Sequence, residues 1–315
     1  MARPQSRRAW CIRSHGGPEV VKLEVLGIPE LEQGQLLVRV AASSVNPMDW
    51  RMRAGLAAKV VFPRILGRDC AGTVVESRSA KFGVGDEIIA TNEPRSNGTH
   101  ADYAIVPEHQ AALRPANLPA CDAVAIGNSG VTAWVPLVDH ANVGPGTRIL
   151  IHAAAGGVGG NAVQIARHFG AEIVATCSTR NIDYVRSLGA HTVIDYTRED
   201  FVAAAGPCDV VFDTVGGEMH RRSFEALHPG GLLVYINADP IDPLPPRADV
   251  RVVHAGVQAS SAILAALMDL GARGVFRPQI GSLFEFESAP AAYAQSESRR
   301  SRGKNVIVMP APARN

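Results

Sequence analysis

A chain of 315 residues, 46 % of them hydrophobic, is long enough for two cores. Its formal charge of +1, from 31 basic and 30 acidic side chains, argues against a nucleic-acid partner, and no basic stripe interleaved with aromatics appears. No apolar run reaches bilayer length, and the five cysteines (Cys11, Cys70, Cys121, Cys177, Cys208) are scattered without a C-x-x-C, which excludes a disulfide framework and a zinc ribbon. Each cysteine reads as a small buried side chain, and a reducing cytosol is the simplest compartment. The basic start Met1–Arg8 lacks an apolar secretion core, and strand-like sequence by Trp10 leaves little room for a transit peptide.

Up to about Pro119 the pattern is one of short alternating strands broken by Gly and Pro: Leu36–Val40, Gly72–Val75, Asp86–Ile89 and Asp102–Val106. This spacing predicts a small antiparallel, barrel-like domain. The apolar run Ile149–Ile151 then leads through a glycine turn into a helical pattern over Val158–Phe169. Five further strand-like runs follow, Ile173–Thr176, Thr192–Ile194, Val210–Asp213, Leu232–Ile236 and Val250–Val253, and helix-like segments separate the first five of the six. The alternation predicts a doubly wound parallel sheet of α/β class. A last helical pattern, Ser261–Leu270, precedes the short runs Leu283–Phe286 and Asn305–Met309, which are expected to rejoin the first domain. The expected division is therefore a discontinuous domain, 1–120 with 274–315, and a nucleotide-binding domain, 121–273. Ala238–Ala248, rich in Pro and Asp, reads as a surface loop.

The glycine turn carries the chemistry. Gly157, Gly159 and Ala162 have the spacing G-x-G-x-x-A, in which small residues permit a tight turn, a close backbone approach to a pyrophosphate, and close helix–strand packing. Gly156, Gly157, Val158 and Gly159 are thus candidate phosphate-cradling residues. NAD-binding folds place an acid about 20 residues after the first glycine. Here that count reaches Ser178, with Arg180 two residues on and no acid at the end of the second strand. A carboxylate there repels a 2′-phosphate, whereas a guanidinium fork matches it, so the cofactor expected is NADPH. Arg180 also reads as a solvated charge opening the next helix.

Several motifs in fixed order resemble a known superfamily. They are Ser44-Val-Asn46-Pro-Met-Asp49, Leu66–Gly72, Phe82–Asp86, Gly98–Tyr103, Gly130–Trp134, the glycine turn, Leu188–Tyr196, Phe212–Gly217 and Pro229–Val234. The chain resembles the zinc-independent, quinone oxidoreductase branch of the medium-chain dehydrogenase/reductases. The resemblance implies a GroES-like β-barrel catalytic domain beside a Rossmann domain. It implies NADPH-dependent reduction in the cleft between them, often in a homodimer. Zinc-dependent relatives have Cys where this chain has Asn46 and His where it has Arg68. A guanidinium cannot coordinate, none of the ten histidines forms an H-x-x-H or H-E-x-x-H pattern, and no metal is expected.

The resemblance places Asn46 near the nicotinamide as a hydrogen-bond donor to the charge that develops during reduction. Its local alternative is a turn residue before Pro47. Asp49 either orients Asn46 or a neighbouring amide, or caps the turn Trp50–Ala54. Relatives often carry Tyr where this chain has Arg51, which weakens the case for simple quinones and points towards a carboxylate, phosphopantetheine or polar enone. Family position assigns Thr132 to the nicotinamide carboxamide and Tyr196 to the adenosine phosphate side; read locally, Thr132 is equally an N-terminal helix hydroxyl and Tyr196 a partly buried aromatic at a strand end. Val215 is assigned to the cofactor site, and Asn237 to the cofactor or to a loop turn. The proton donor is expected to be water, His100, His140 and His152 being unassigned. The expected activity is NADPH-dependent reduction of a quinone or activated alkene. Enoyl-thioester reduction and a non-catalytic NADPH-binding role are the alternatives.

Overall fold

The protein is described by a computed structural model covering residues 3–57, 60–92, 96–236 and 247–310. The chain forms two compact units: Met1–Asn128 with Ala259–Gly274 and Pro278–Asn315, and Ser129–Gln258 with Val275–Arg277.

The first unit is built on a seven-stranded sheet whose central strand, Gln35–Val45, is buried over most of its length. Its antiparallel neighbours are Asp69–Ser77, Tyr103–Pro107 and the tail strand Lys304–Val308. Inward residues of these strands (Leu36, Val38, Val40, Val74, Val106 and Ile307) share one core. The tail pairing sets Asn305 opposite Val45, which brings Lys304 alongside the Val45–Asn46 link. The strand pairings before Pro119 are all antiparallel, as expected, and the one parallel pair of this unit lies in the tail. Ile280–Glu285 pairs parallel to Lys304–Val308, because the helix Ala289–Glu297 between them carries the chain back to the same end. A small sheet of Lys22–Gly27, Ser6–Ile12 and Arg64–Ile65 completes the unit's strands. Helix Ser261–Ala272 groups with this unit. Ser260 caps it by accepting from Ile263 N, and Ser261 Oγ donates to Glu108 O at 3.0 Å.

The second unit is a six-stranded sheet, every pair parallel, in the order Thr192–Asp195, Glu172–Cys177, Arg148–Ile151, Cys208–Asp213, Leu227–Tyr235, Arg251–His254. Strands covered on both faces read as continuous apolar runs, which is why these segments were recognisable. Leu150, Val174, Ile194, Val211 and Leu233 form one buried cluster across neighbouring strands. Strand order reverses at Arg148–Ile151, the topological switch point where such sheets receive ligands. This is the expected α/β class with a Rossmann-type order.

Candidate active site

At the switch point the strand Arg148–Ile151 ends and the chain turns through Ala153, which has a positive φ of 50°. Helix Gly157–His168 starts after Gly156, which has extended backbone and offers no side chain to cap the first turn. The opening amides, at the positive end of a three-turn helix, are therefore left for an anion. Gly159 is required sterically: a Cβ there would lie 2.4 Å from Ala153 O. Around this turn the carboxyl ends of the strands deliver the other expected residues. Ser178 follows the second strand, half-buried, and accepts from Asn181 Nδ2 at 3.1 Å; Arg180 is exposed on the next turn. Tyr196 follows the third strand and is 49 % exposed. Val215, exposed after the fourth strand, donates its N–H to Asp213 Oδ1 at 2.8 Å. Asp213 also accepts from Gly216 N and from His220 Nδ1, so a buried carboxylate clamps this loop. Thr132 is half-buried on helix Ala120–Trp134. Asn237 lies outside the described residues.

One acid escaped the count from Gly157. Strand register sets Asp195 beside Cys177, at the end of the second strand. It accepts from Thr179 Oγ1 at 2.5 Å and Thr197 Oγ1 at 2.6 Å, hydrogen bonds that hold its carboxyl below the usual carboxylate range. Its lone pairs are thereby committed within the protein. The glycine cradle, the uncapped helix start and the exposed Arg180 together fit a phosphorylated dinucleotide.

The first unit contains a second constellation. Asn46 precedes helix Pro47–Arg53, with Pro at its first position. Asp49 lies inside this helix rather than at the cap of a turn beginning at Trp50: Oδ2 accepts from Asn46 N at 2.8 Å, closing the helix start, and Oδ1 accepts from Gly67 N at 2.9 Å. Gly67 has φ 95°, and a Cβ there would meet the His100 ring at 2.6 Å. The Asn46 side chain points into a buried polar cluster. Its Oδ1 accepts from Lys304 Nζ at 2.6 Å and Asn128 Nδ2 at 3.1 Å. Its Nδ2 faces Asp69 Oδ1 and Ser44 O, each at 3.2 Å, and Ser44 Oγ at 3.4 Å. Ser44 Oγ also donates to Asp69 at 2.8 Å. An ammonium only donates and a carboxylate only accepts, so the amide orientation is chemically determined. His100 donates from Nε2 to Ser44 O at 3.2 Å, and its Nδ1 then accepts the Tyr293 hydroxyl at 2.7 Å. Burial pushes Asp69 up, while Lys304 and Ser44 pull the other way; burial pushes Lys304 down.

Sequence reasoning singled out Asn46 and Asp49 here, but not Asp69, Lys304, Asn128 or Tyr293. Asp69 lay within the recognised Leu66–Gly72 motif, and Lys304 is a cation that opens a buried apolar strand after Arg299, Arg300 and Arg302. Both were signals. Arg51, in place of the relatives' Tyr, lies over the Trp50 ring at 5.8 Å, with Arg299 at 5.7 Å from the same ring.

This donor set does not fit zinc. Where zinc enzymes hold thiolate and imidazole, the chain has an amide bonded to an ammonium, the Arg68 guanidinium donating to Asn92 O, and a carboxylate taken up by Ser44 and Asn46. Among the described residues no group of three or more His, Cys, Asp or Glu is placed to hold a metal. Burial pushes the Cys11, Cys177 and Cys208 thiols up to about 11, unsuited to nucleophilic work. No described helix is long and apolar enough to cross a membrane.

Comparison with known proteins converges on one group. Residues 32–116 match the alcohol dehydrogenase GroES-like domain family, and residues 188–307 match the zinc-binding dehydrogenase family. The chain is 33 % identical to a 2-methylene-furan-3-one reductase of Solanum lycopersicum, covering 98 % of this chain and 80 % of that protein. It is 32 % identical to the chloroplastic NADPH-dependent alkenal/one oxidoreductase of Arabidopsis thaliana, covering 98 % and 81 %. The solved quinone oxidoreductase of Coxiella burnetii superposes with a TM-score of 0.91 at 29 % identity, over 96 % of this chain and 99 % of that one.

Proposed function

The chain belongs to the zinc-independent, quinone-oxidoreductase-like medium-chain dehydrogenase/reductases, and from that premise we propose that it is an NADPH-dependent reductase of quinones and α,β-unsaturated carbonyls. The observation that carries this reading is the uncapped, glycine-opened helix at the switch point of a six-stranded parallel sheet. When bound, NADPH supplies the hydride.

In this reading the amides of Gly156–Gly159 receive the diphosphate. Ser178 and Arg180 hold the 2′-phosphate, and Tyr196 and Val215 flank the adenosine side. Thr132 and Asn237 contact the remaining cofactor. Asn46 exchanges its long contacts with Ser44 for the substrate oxygen that gains negative charge, and Asp49 fixes the Asn46 backbone. Conjugation spreads that charge, so hydrogen bonds suffice without a Lewis acid. A water supplies the proton, and the net change is addition of one hydride and one proton across the activated bond. The division into a catalytic part, 1–120 with 274–315, and a cofactor part, 121–273, belongs to the same proposal. So do a homodimer and a cytoplasmic location; five free thiols favour a reducing compartment.

Calorimetric titration with NADPH, followed by turnover of 9,10-phenanthrenequinone, a simple enone and crotonyl-CoA, tests the proposal. Micromolar uptake and reduction of the quinone or enone are expected. Absence of uptake ends the reading, and turnover of crotonyl-CoA alone replaces it with enoyl-thioester reduction. Light scattering and cell fractionation decide oligomer and compartment.

A further inference from the structure

The cluster around Asn46 is arranged by charge. The Lys304 ammonium, 5 % exposed, sits 2.6 Å from one end of the Asn46 amide, and the fully buried Asp69 carboxylate sits 3.2 Å from the other. Lys304 also donates to Val45 O at 3.1 Å. A flipped amide would set its NH2 against an ammonium and its oxygen against a carboxylate, so the two charges permit one orientation. Desolvating both is expensive, and a packed apolar pair of similar volume is often as stable or more so. Stability alone therefore does not account for the pair.

We propose that Lys304, with Asp69 as its counter-charge, is a positioning residue for the reduction: it acts through Asn46, locking the carboxamide and strengthening its N–H groups as donors to the substrate oxygen. The inference rests on the reductase reading above. An ammonium at Oδ1 draws electron density out of the amide, which makes the Nδ2 hydrogens more acidic. Asp69 takes one of them. The other faces Ser44 O at 3.2 Å and Ser44 Oγ at 3.4 Å, neutral acceptors that a developing oxyanion outcompetes. The charge that zinc supplies in the metal-dependent relatives is here one bond removed, on a lysine. Besides Asp69, Asp49 on helix Pro47–Arg53 bears on Lys304 electrostatically; His100 bears on Asp69, and Tyr293 on His100.

The test is a double-mutant cycle on the full-length protein. Lys304→Met should lower kcat for an enone roughly tenfold to a hundredfold while the NADPH dissociation constant, read by fluorescence, stays within about twofold. In the Asn46→Ala background the same change should cost less than about twofold in kcat, since its route of action is gone. Lys304→Met/Asp69→Asn removes both charges; it should regain the thermal midpoint lost by Lys304→Met without regaining kcat. Recovery of kcat together with the midpoint, or an equal loss with and without Asn46, overturns the inference and leaves Lys304 structural. Should Lys304→Met fail to fold, the doubly neutral variant is measured with and without Asn46→Ala and the same outcomes decide. Wild-type protein that reduces neither enones nor quinones defeats the reductase reading itself. Wild-type turnover unaffected by Lys304→Met defeats this inference alone.

Discussion

The two sites are made of different material. The dinucleotide cradle is written in one stretch of chain and built from backbone: Gly156 to Gly159 present amides, and their side chains matter chiefly by being absent. The Asn46 cluster is built from side chains, and Asn46 and Lys304 stand 258 residues apart. A contiguous backbone site tolerates polar variation around it but no added atom at its closest approach. A dispersed side-chain site tolerates little change of charge, because each buried partner is left uncompensated when another is removed.

The contrast can be broken hardest at Gly159. Gly159→Val drives a Cβ into Ala153 O, a backbone atom that cannot swing aside, so NADPH uptake by calorimetry should fall beyond detection, at least about a hundredfold. The Asn46 cluster should persist, read by an unaltered native fold of the first unit in hydrogen exchange. Loss of protection in both units would show that the two sites are not independent.

Acid should distinguish the units next. Burial pushes His152, under the glycine turn, down to about 4 from 6.5. As pH falls from about 6.5 to about 4 the unfolded chain takes up a proton that folded His152 refuses, so the second unit should lose up to about 3 kcal/mol in that window. Asp69 has the opposite sign. Burial raises it, so the folded form protonates before the unfolded one and acid relieves a penalty in the first unit. Urea titrations from pH 7 to 4.5 check this. A His152→Gln variant should flatten the acid dependence, and an unchanged slope would remove His152 from the explanation.

Arg180→Ala should raise KM for NADPH roughly tenfold or more with little change for NADH, the loss of a charge-assisted hydrogen bond of about 1.5–3 kcal/mol. Equal effects on both cofactors would put the 2′-phosphate elsewhere. The smallest expected effect is chemical. Cys121 is the one half-buried thiol of the five, so a thiol reagent should label it well before the others and leave NADPH binding unchanged.

How much could be read in advance follows the same division. The parallel sheet was legible because Ile149–Ile151 and the runs after it are apolar without interruption, and the turn because its glycines are adjacent. The tail strand was legible as Asn305–Met309, yet its consequence was not, since only its antiparallel register against Val45 reveals what Lys304 touches. Asp69 stood in a recognised motif but reads locally as a strand-opening acid; its burial depends on Ser44 and Asn46 arriving from another strand. The π turn Val135–His140, which continues helix Ala120–Trp134, left no periodic signal. Pro136 supplies no N–H, and its carbonyl accepts from Ala141 five residues on. Asp195 was missed because a count along the chain does not see the neighbouring strand.

The pairing of Lys304–Val308 with Gln35–Val45 has a consequence for biosynthesis. On the ribosome, the six strands from Arg148 to His254 emerge as a set and are free to assemble while translation continues. The strand Gln35–Val45 and the Asp69 carboxylate, made before them, must wait without the Lys304 counter-charge until that later strand has been read, so a portion synthesised sooner is completed later.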